Sequence, residues 1–311
     1  MRGDALPNGP GTPNGLSIDS LLPPAMAAKA EEIGVEKAKS GFTKTFALSV
    51  LAGAFIALVA VFATTVTAGA GAITAADGTA AFTAGLPYGV VRLLAGVAFS
   101  LGLILVVVAG AELFTGNNLI VMAWADRKVT TVRLLRNWVI VFVGNFVGSI
   151  ATAGIMYVSG QYKFGSGVVG LAALSTAATK TGLGFWQAIA LGIMCNALVC
   201  LAVWMCYSAR STTDRILAII PPITAFVAAG FEHSVANMYF IPMGLFIKAG
   251  APASFWTAVH KTAADYATLT WGKFFTANLI PVTIGNIIGG AVLVGAVYWF
   301  VYLRGRRASA L

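Results

Sequence analysis

The chain has 311 residues, of which 58% are hydrophobic and 10% are charged, and its formal net charge is +9. Soluble domains are about 45 to 50% apolar and about 25% charged, so this composition excludes a soluble globular protein and indicates an integral membrane protein. The basic residues lie in the connections between apolar runs. Membrane topology therefore explains the positive charge better than a nucleic-acid partner, and we expect no nucleic acid.

The N-terminal region precedes the first long apolar run. Residues 1–20 are rich in Pro, Gly and Asn and are predicted to form a disordered tail. Residues 21–45 predict an amphipathic helix on the cytoplasmic membrane surface, with docking of a cytoplasmic partner as the alternative. Acidic residues and the lack of an apolar core argue against a cleaved export signal.

A helix needs about 20 apolar residues to cross a bilayer, and runs of that length predict six spans. They cover residues 46–67, 88–109, 137–158, 185–208, 216–248 and 277–303. The fifth is predicted to be broken because it contains three prolines and Gly230. The pore domain is thus predicted at 46–304 and a short cytoplasmic tail at 305–311. Most of the 20 Lys and Arg residues lie on the side of both termini, which places those termini in the cytoplasm.

Two motifs occur twice, in the same order. Residues 110–117 read G-x-E-x-x-x-x-N at the end of the second span, and residues 230–237 repeat this spacing inside the fifth. G-N-x-x-G follows at 144–148 in the third span and at 285–289 in the sixth. The ordered pairs predict a duplicated three-span unit. Because three is odd, the two copies are inverted, and their helix breaks are expected to line a transport path.

Glu112 and Glu232 are the only acidic residues predicted at membrane depth. A charged group there costs a few kcal/mol, so each needs a local partner. We predict that backbone N–H groups freed by the breaks bind both carboxylates. Together with Asn117 and Asn237 of the same motifs, they are interpreted as structural residues of the breaks.

Three other polar residues lie in or near the breaks. His233 sits in a glycine-flanked break, and a group with a pKa of about 6.5 can offer either a cation or a neutral donor to an ion. The Thr115 hydroxyl suits an oxyanion or a link to His233, or else it caps the helix that resumes at Asn117. Asn196 either joins helices or lines the pore.

No motif for a nucleotide, for zinc or for a nucleophilic serine occurs, so we expect no cofactor, no metal and no catalytic residue. Cys195, Cys200 and Cys206 match no metal-binding spacing and are interpreted as packing residues. An enzyme or sensor that uses Glu232 and His233 as an acid/base pair is the alternative. Adjacent residues on a helix point about 100° apart, which disfavours it.

Four stretches, at 110–117, 192–202, 230–238 and 278–290, resemble the formate/nitrite transporter family, and most closely its formate-channel branch. The resemblance covers about residues 21–304. It implies an all-α fold with an aquaporin-like inverted repeat of three-span units. It also implies a homopentamer in the lipid bilayer of a bacterial inner membrane.

The resemblance further implies passive or proton-linked transport of formate in both directions, or of nitrite, acetate, lactate or hydrosulfide. It implies a central histidine at His233, with Thr115 and Asn196 beside the path. The implied cytoplasmic constriction is Leu103 with Phe114. The implied periplasmic side consists of Phe99, Val199 and Phe226, with the basic residue Lys180 at its vestibule.

Overall fold

The computed structural model describes residues 20–70, 73–74, 80–82 and 85–307. The predicted disordered tail lies outside the described residues except for Ser20, and so do the last four residues of the predicted C-terminal tail. The described chain is helical apart from two short strands. β1 (Ile73–Thr74) and β2 (Ala80–Phe82) pair antiparallel.

The helices of the described chain run in the following order. They are α1 Pro23–Lys39, α2 Phe42–Thr67, α3 Tyr88–Val108, α4 Val121–Ala125, α5 Thr131–Val158, α6 Val168–Thr181, α7 Phe185–Ser208, α8 Thr212–Ala228, α9 Ser234–Gly250, α10 Ala253–Ala258, α11 Trp271–Lys273, α12 Ile280–Ile287 and α13 Val297–Tyr302. Two π-helical segments, Phe274–Leu279 and Ile288–Ala296, join α11, α12 and α13 into one continuous span. Short 3₁₀ turns cover Gly116–Ile120, Gln161–Lys163, Ala263–Tyr266 and Arg304–Arg307.

Five helical stretches of the described chain are long and apolar enough to cross a bilayer: α2, α3, α5, α7 and the run Ala263–Tyr302. The predicted fifth span is divided into α8 and α9, which have 17 residues each and flank residues 229–233. The predicted break in this span is therefore present. The predicted span 185–208 coincides with α7, whereas α2 and α5 begin several residues before their predicted starts.

The predicted helix at 21–45 is shorter than expected, because Ser40 and Gly41 adopt extended backbone angles that turn the chain into α2. α1 packs on one end of the bundle, against α4, the neighbouring 3₁₀ turn and α7. Met26, Ala27 and Ala30 share a buried apolar cluster with residues of those elements. The face that we expected to contact the bilayer is therefore covered by the protein itself.

The spans pair according to the predicted repeat. α2 packs along α5 in the first half, α7 packs along α12 in the second, and α3 and α8 lie side by side between them. Gly148 of α5 approaches the backbone of α2 so closely that a methyl group there would overlap the Val50 carbonyl, and Gly289 meets the Ile193 carbonyl of α7 in the same way. The glycines of the repeated G-N-x-x-G motif thus permit close backbone packing in both halves.

Candidate functional site

Each break begins with a glycine in the left-handed region. Gly110 follows α3 with a φ of +80°, and Gly230 follows α8 with a φ of +76°. L-residues rarely adopt this conformation, whereas glycine ends helices in it at little cost. Both breaks therefore start from the same backbone turn, as the repeated sequence motif predicts.

In the first half, Asn145 of α5 holds the broken backbone. Its amide nitrogen donates to the carbonyl oxygens of Ser49 and Glu112 at 2.8 and 2.9 Å. Its Oδ1 accepts from the backbone N–H of Phe114 at 2.9 Å. One buried side chain thus satisfies polar backbone groups that the break leaves without helical partners.

Asn286 of α12 makes the equivalent contacts in the second half. Its amide nitrogen donates to the carbonyl oxygens of Gly192 and Glu232 at 2.8 and 2.9 Å. Its Oδ1 accepts from the backbone N–H of Ser234 at 2.9 Å. The inverted repeat that the spacing predicts therefore extends to individual hydrogen bonds.

Glu112 finds its partners among side chains. Lys37, in the last turn of α1, donates from Nζ to Glu112 Oε2 at 2.9 Å and to Asn117 Oδ1 at 2.9 Å. Asn117 Nδ2 donates to the same carboxylate at 2.6 Å and to Asn137 Oδ1 at 3.0 Å. The prediction that freed backbone N–H groups bind the carboxylate was wrong, because a lysine and an asparagine fill those positions.

Glu232 is held in the same manner. Lys180, in the last turn of α6, donates to Glu232 Oε1 at 2.7 Å. Asn237 Nδ2 and Asn278 Nδ2 donate to Oε2 at 2.7 and 3.1 Å. α6 is thus the counterpart of α1, so the repeating unit is a short helix followed by three spans. α6 was not predicted from the sequence, because its 14 residues are too few to cross a bilayer.

The two breaks meet through one hydrogen bond. Thr115 Oγ1 lies 3.0 Å from His233 Nε2, and both side chains are buried. Thr115 makes no side-chain cap to the 3₁₀ turn that follows it. Of the two roles predicted for this threonine, the structure therefore contains the link to His233 and lacks the helix cap.

The other ring nitrogen of His233 determines which tautomer is present. Nδ1 accepts from the backbone N–H of Ala236 at 3.1 Å and so caps α9. A nitrogen that accepts carries no proton, so the neutral ring carries its proton on Nε2 and donates to Thr115. The Thr115 hydroxyl hydrogen remains free to donate to a third group.

The Glu232 and His233 side chains bond to different partners. The Glu232 carboxylate bonds to Lys180, whereas the His233 ring bonds to Thr115. These contacts give no support to a shared acid/base site. Within the part of the chain that the structure describes, no three His, Cys, Asp or Glu side chains lie close enough to hold a metal ion.

Asn196 is fully buried and bonds to protein groups of three elements. Its Nδ2 lies 2.7 Å from the Asn286 carbonyl oxygen, 3.1 Å from Asn118 Oδ1 and 3.2 Å from the Thr115 carbonyl oxygen. Of its two predicted roles, these contacts favour the joining of helices.

Aromatic rings of α3 and α8 pack beside His233. The Phe226 ring stacks on His233 with centroids 5.9 Å apart and meets Phe99 edge-on at the same distance. Val199 is buried in the same core. Phe114 instead packs against Phe142 of α5, with ring centroids 5.0 Å apart.

A cavity of about 530 Å³ lies between α1 and the first break. Leu103 and Leu113 line it, whereas Phe114, expected at the same constriction, does not belong to its lining. Its lining includes the basic residues Lys29, Lys37, Lys44 and Arg215 and the acidic residues Glu36 and Glu112, so this end of the molecule has a vestibule with a net positive lining. A basic vestibule was predicted only at Lys180, and the ammonium of that lysine bonds to Glu232.

The family model described as formate/nitrite transporter matches residues 24–300. The chain belongs to the formate/nitrite transporter family. A membrane transport function follows from this membership, and the resemblance in the four sequence motifs is confirmed.

Relatives in the formate/nitrite transporter family include the formate channel FocA of Escherichia coli K12, which is 48% identical over 92% of this chain and 96% of its own length. FocA of Haemophilus influenzae is 41% identical over 90% and 94% of the two chains. A solved structure described as a pentameric formate channel with formate bound superposes with a TM-score of 0.77. It is 47% identical and covers 85% of this chain and 98% of its own.

Proposed function

We propose that this protein conducts formate across the bacterial inner membrane, through a path inside each protomer of a homopentamer whose N- and C-termini face the cytoplasm. The observation that carries the proposal is the buried bond between Thr115 and His233, which joins the two helix breaks. Support also comes from a 48% identical relative named a formate channel and from a 47% identical solved structure that is pentameric and binds formate.

The proposed path has a polar centre between two apolar constrictions. On the side of α1 the constriction is assigned to Leu103, since Phe114 packs against Phe142 and does not line the cavity there, and Leu103 is buried like the three residues of the other constriction. The other constriction consists of Phe99, Val199 and Phe226. An apolar ring strips water from an anion, and a charged group in such surroundings costs several kcal/mol. A carboxylate with a pKa of about 4 therefore crosses more readily once it has gained a proton.

The centre of the path offers hydrogen-bond donors to that anion. The Thr115 hydroxyl hydrogen is free, since His233 donates to its oxygen. Displacement of the Thr115–His233 bond would expose a second donor at Nε2. We assign Asn196 to the support of this centre and propose that its amide, which lies 2.7 Å from the Asn286 carbonyl oxygen and 3.1 Å from Asn118 Oδ1, keeps the last span and the first break together while an anion passes.

Lys180 is proposed to attract anions from the side of α6. Its ammonium donates one hydrogen bond to Glu232 and lies over the Phe240 ring, 5.5 Å from the centroid. An ammonium group carries three donors, so two remain for a passing anion. Lys29, Lys44 and Arg215 perform the same electrostatic role at the opposite vestibule.

Proton-linked transport would require movement at His233. Because Nδ1 accepts the Ala236 N–H, a second proton on the ring must first displace this bond and remove the side-chain cap of α9. Low pH would then favour a cationic ring and proton-linked uptake or a gated state. High pH would preserve the capped neutral ring and favour efflux.

Formate flux into proteoliposomes that contain the pure protein, measured at pH 5 and pH 7, tests the proposal. We expect formate flux, no glycerol flux, and a pH dependence that disappears in His233→Gln. Glycerol permeation without anion flux would contradict an anion path. An unchanged pH profile in His233→Gln would contradict the proton role while leaving the path in place.

Nitrite or another small monovalent anion is the second candidate. The centre presents Thr115 and His233 donors, and neither group distinguishes a carboxylate from nitrite. Acetate, lactate and hydrosulfide share the same single charge. Competition of each unlabelled anion with labelled formate in the same vesicles would rank their affinities. If nitrite competed more strongly than unlabelled formate, nitrite would be the preferred substrate.

A further inference from the structure

We infer that Cys200 positions Thr115, by donating its thiol hydrogen to the Thr115 carbonyl, and that Gly290 leaves the room that this contact needs. The inference rests on the proposed function, because it makes Cys200 act on transport through the Thr115 hydroxyl. Cys200 Sγ lies 3.3 Å from the carbonyl oxygen and 3.9 Å from Asn196 Oδ1, so the carbonyl is the nearer of its two acceptors.

A count of hydrogens assigns the carbonyl to the thiol. Asn196 Nδ2 has two hydrogens but three acceptors within 3.2 Å, and the Thr115 carbonyl is the most distant of the three. The backbone N–H of Asn118 reaches this carbonyl only at 3.4 Å. Without Cys200, the Thr115 carbonyl would keep only the long bond from the Asn118 N–H and a share of two amide hydrogens that nearer acceptors already bind.

Gly290 makes this arrangement possible. It lies in the second π-helical segment of the last span, directly opposite Asn196 and Cys200. A methyl group on Gly290 would overlap Asn196 Nδ2 and lie 2.8 Å from Cys200 Sγ. Any side chain at this position would therefore displace both donors from the Thr115 carbonyl.

The first half shows the opposite distribution of side chains. The Glu112 N–H donates to the Leu48 carbonyl and the Glu232 N–H donates to the Leu191 carbonyl, so these two leucines are equivalent in the repeat. The residues five positions later, Gly53 of α2 and Asn196 of α7, are therefore equivalent too. The Asn145–Asn286 equivalence pairs Ser149 with Gly290. In the first half Gly53 is the small residue, and Ser149 donates to its carbonyl at 3.1 Å.

In the first half the larger side chain of this pair, Ser149, lies on the third span of the unit. In the second half the larger side chain, Asn196, lies on the first span. This change directs an amide and a thiol toward Thr115, which belongs to the first break. The equivalent positions of the first half, Gly53 and Ala57, present no polar side chain to the second break. The polar side chains of α7 thus contact the first break, whose Thr115 bonds to His233.

The S–H stretching band tests the contact itself. In a Cys195→Ala, Cys206→Ala protein, Cys200 is the only thiol, and its band lies in an infrared region where proteins otherwise absorb little. We expect the lowered frequency of a hydrogen-bonded thiol and a return toward the free value in the same protein with Gly290→Ala. A free-thiol frequency without the Gly290 change would overturn the inference whatever the transport result.

Formate flux tests the consequence. A neutral hydrogen bond is worth about a factor of two to ten, and we expect Cys200→Ala to lower formate flux by about two- to fivefold, with recovery in Cys200→Ser. Cys195→Ala is the matched control, since both thiols are fully buried on α7 and the hydrogen bond to the Thr115 carbonyl comes from Cys200. Its flux should equal that of the native protein.

A double-mutant cycle shows whether Cys200 acts through the hydroxyl. In a Thr115→Ala background, Cys200→Ala should cause no further loss of flux, because the hydroxyl that it positions is gone. An equal loss in both backgrounds would overturn the inference. If Thr115→Ala itself left formate flux unchanged, the proposed role of Thr115 would fail, and the infrared band would still report on the thiol contact.

Discussion

In the first break Leu113 occupies the position that His233 occupies in the second, while the glycines, glutamates and asparagines around them make matching contacts. Both glutamates bond to a lysine from a short helix and to the asparagine five residues later. The common contacts build a stable discontinuity in a membrane helix. The unmatched residue, His233, is the one to which we assign the chemistry of the proposed path, so the comparison of the two halves distinguishes the shared scaffold from the proposed functional residue.

The lysines differ more subtly between the two halves. Lys37 bonds to both Glu112 and Asn117, and its side chain is 28% exposed. Lys180 bonds to Glu232 and is 16% exposed, and Asn237 Oδ1 has no hydrogen-bond partner among the described residues. Lys180 and Asn237 thus keep unused hydrogen-bonding capacity beside the proposed path, although Glu232 accepts three side-chain hydrogen bonds and Glu112 accepts two.

The largest effect is expected from the asparagines that hold the breaks. Asn145→Ala or Asn286→Ala each leaves buried backbone groups unsatisfied, and we expect either to lower the free energy of unfolding by about 3 kcal/mol or more. Thermal unfolding of the purified protein measures this. Thr152→Ala is the control, because that hydroxyl bonds only within its own helix. A large loss of unfolding free energy in one asparagine variant but not in the other would contradict the structural equivalence of the two breaks.

The lysine substitutions come next. Lys180→Met should cost about 3 kcal/mol, because Glu232 is 6% exposed and would remain as an unpaired buried charge. Lys37→Met should cost less, since Glu112 is 16% exposed and closer to the vestibule. Unfolding temperatures of both variants measure the difference. Recovery in the Lys180→Met, Glu232→Gln double variant would show that the unpaired carboxylate is responsible, whereas equal losses would remove the asymmetry.

An exchange of residues between the breaks tests the functional difference. His233→Leu installs the residue of the first break, and we expect formate flux to fall at least about tenfold as the central polar link is lost. The accompanying loss of the α9 cap should cost about 1 kcal/mol. Leu113→His, at the other break, should leave flux within about twofold. A reversed ranking in vesicle flux would contradict the assignment of function to the second break.

The smallest effect concerns α1. Burial and the neighbouring Asp126 carboxyl raise the pKa of Glu31, while Lys128 acts in the opposite direction. Because the docked helix holds this proton more tightly than the undocked one, docking weakens as pH rises through the raised pKa. Glu31→Gln should remove that weakening. Hydrogen exchange of α1 amides, compared with native protein at each pH, measures it, and exposed Glu32→Gln should behave as native.

The repeated spacing helped to predict the breaks, since a left-handed turn favours glycine and Gly110 and Gly230 recur at the same distance from their glutamates. The limits of α7 were predicted because an apolar run records span length directly. The lysine partners were not predictable, because Lys37 lies 75 residues from Glu112 and Lys180 lies 52 from Glu232. The π-helical segments were also missed, since a locally widened helix keeps the apolar composition of an ordinary span.

The origin of Lys37 links two equilibria that appear separate. Within the described chain, α6 follows one span and precedes the next, whereas α1 leads into α2 through Ser40 and Gly41. Docking of α1 brings the cation that compensates Glu112, so the docking free energy includes the stabilisation of that charge. By thermodynamic reciprocity, the factor by which docking of α1 favours the folded first break equals the factor by which the folded break favours docking of α1. The short helix and the break therefore respond as one coupled element.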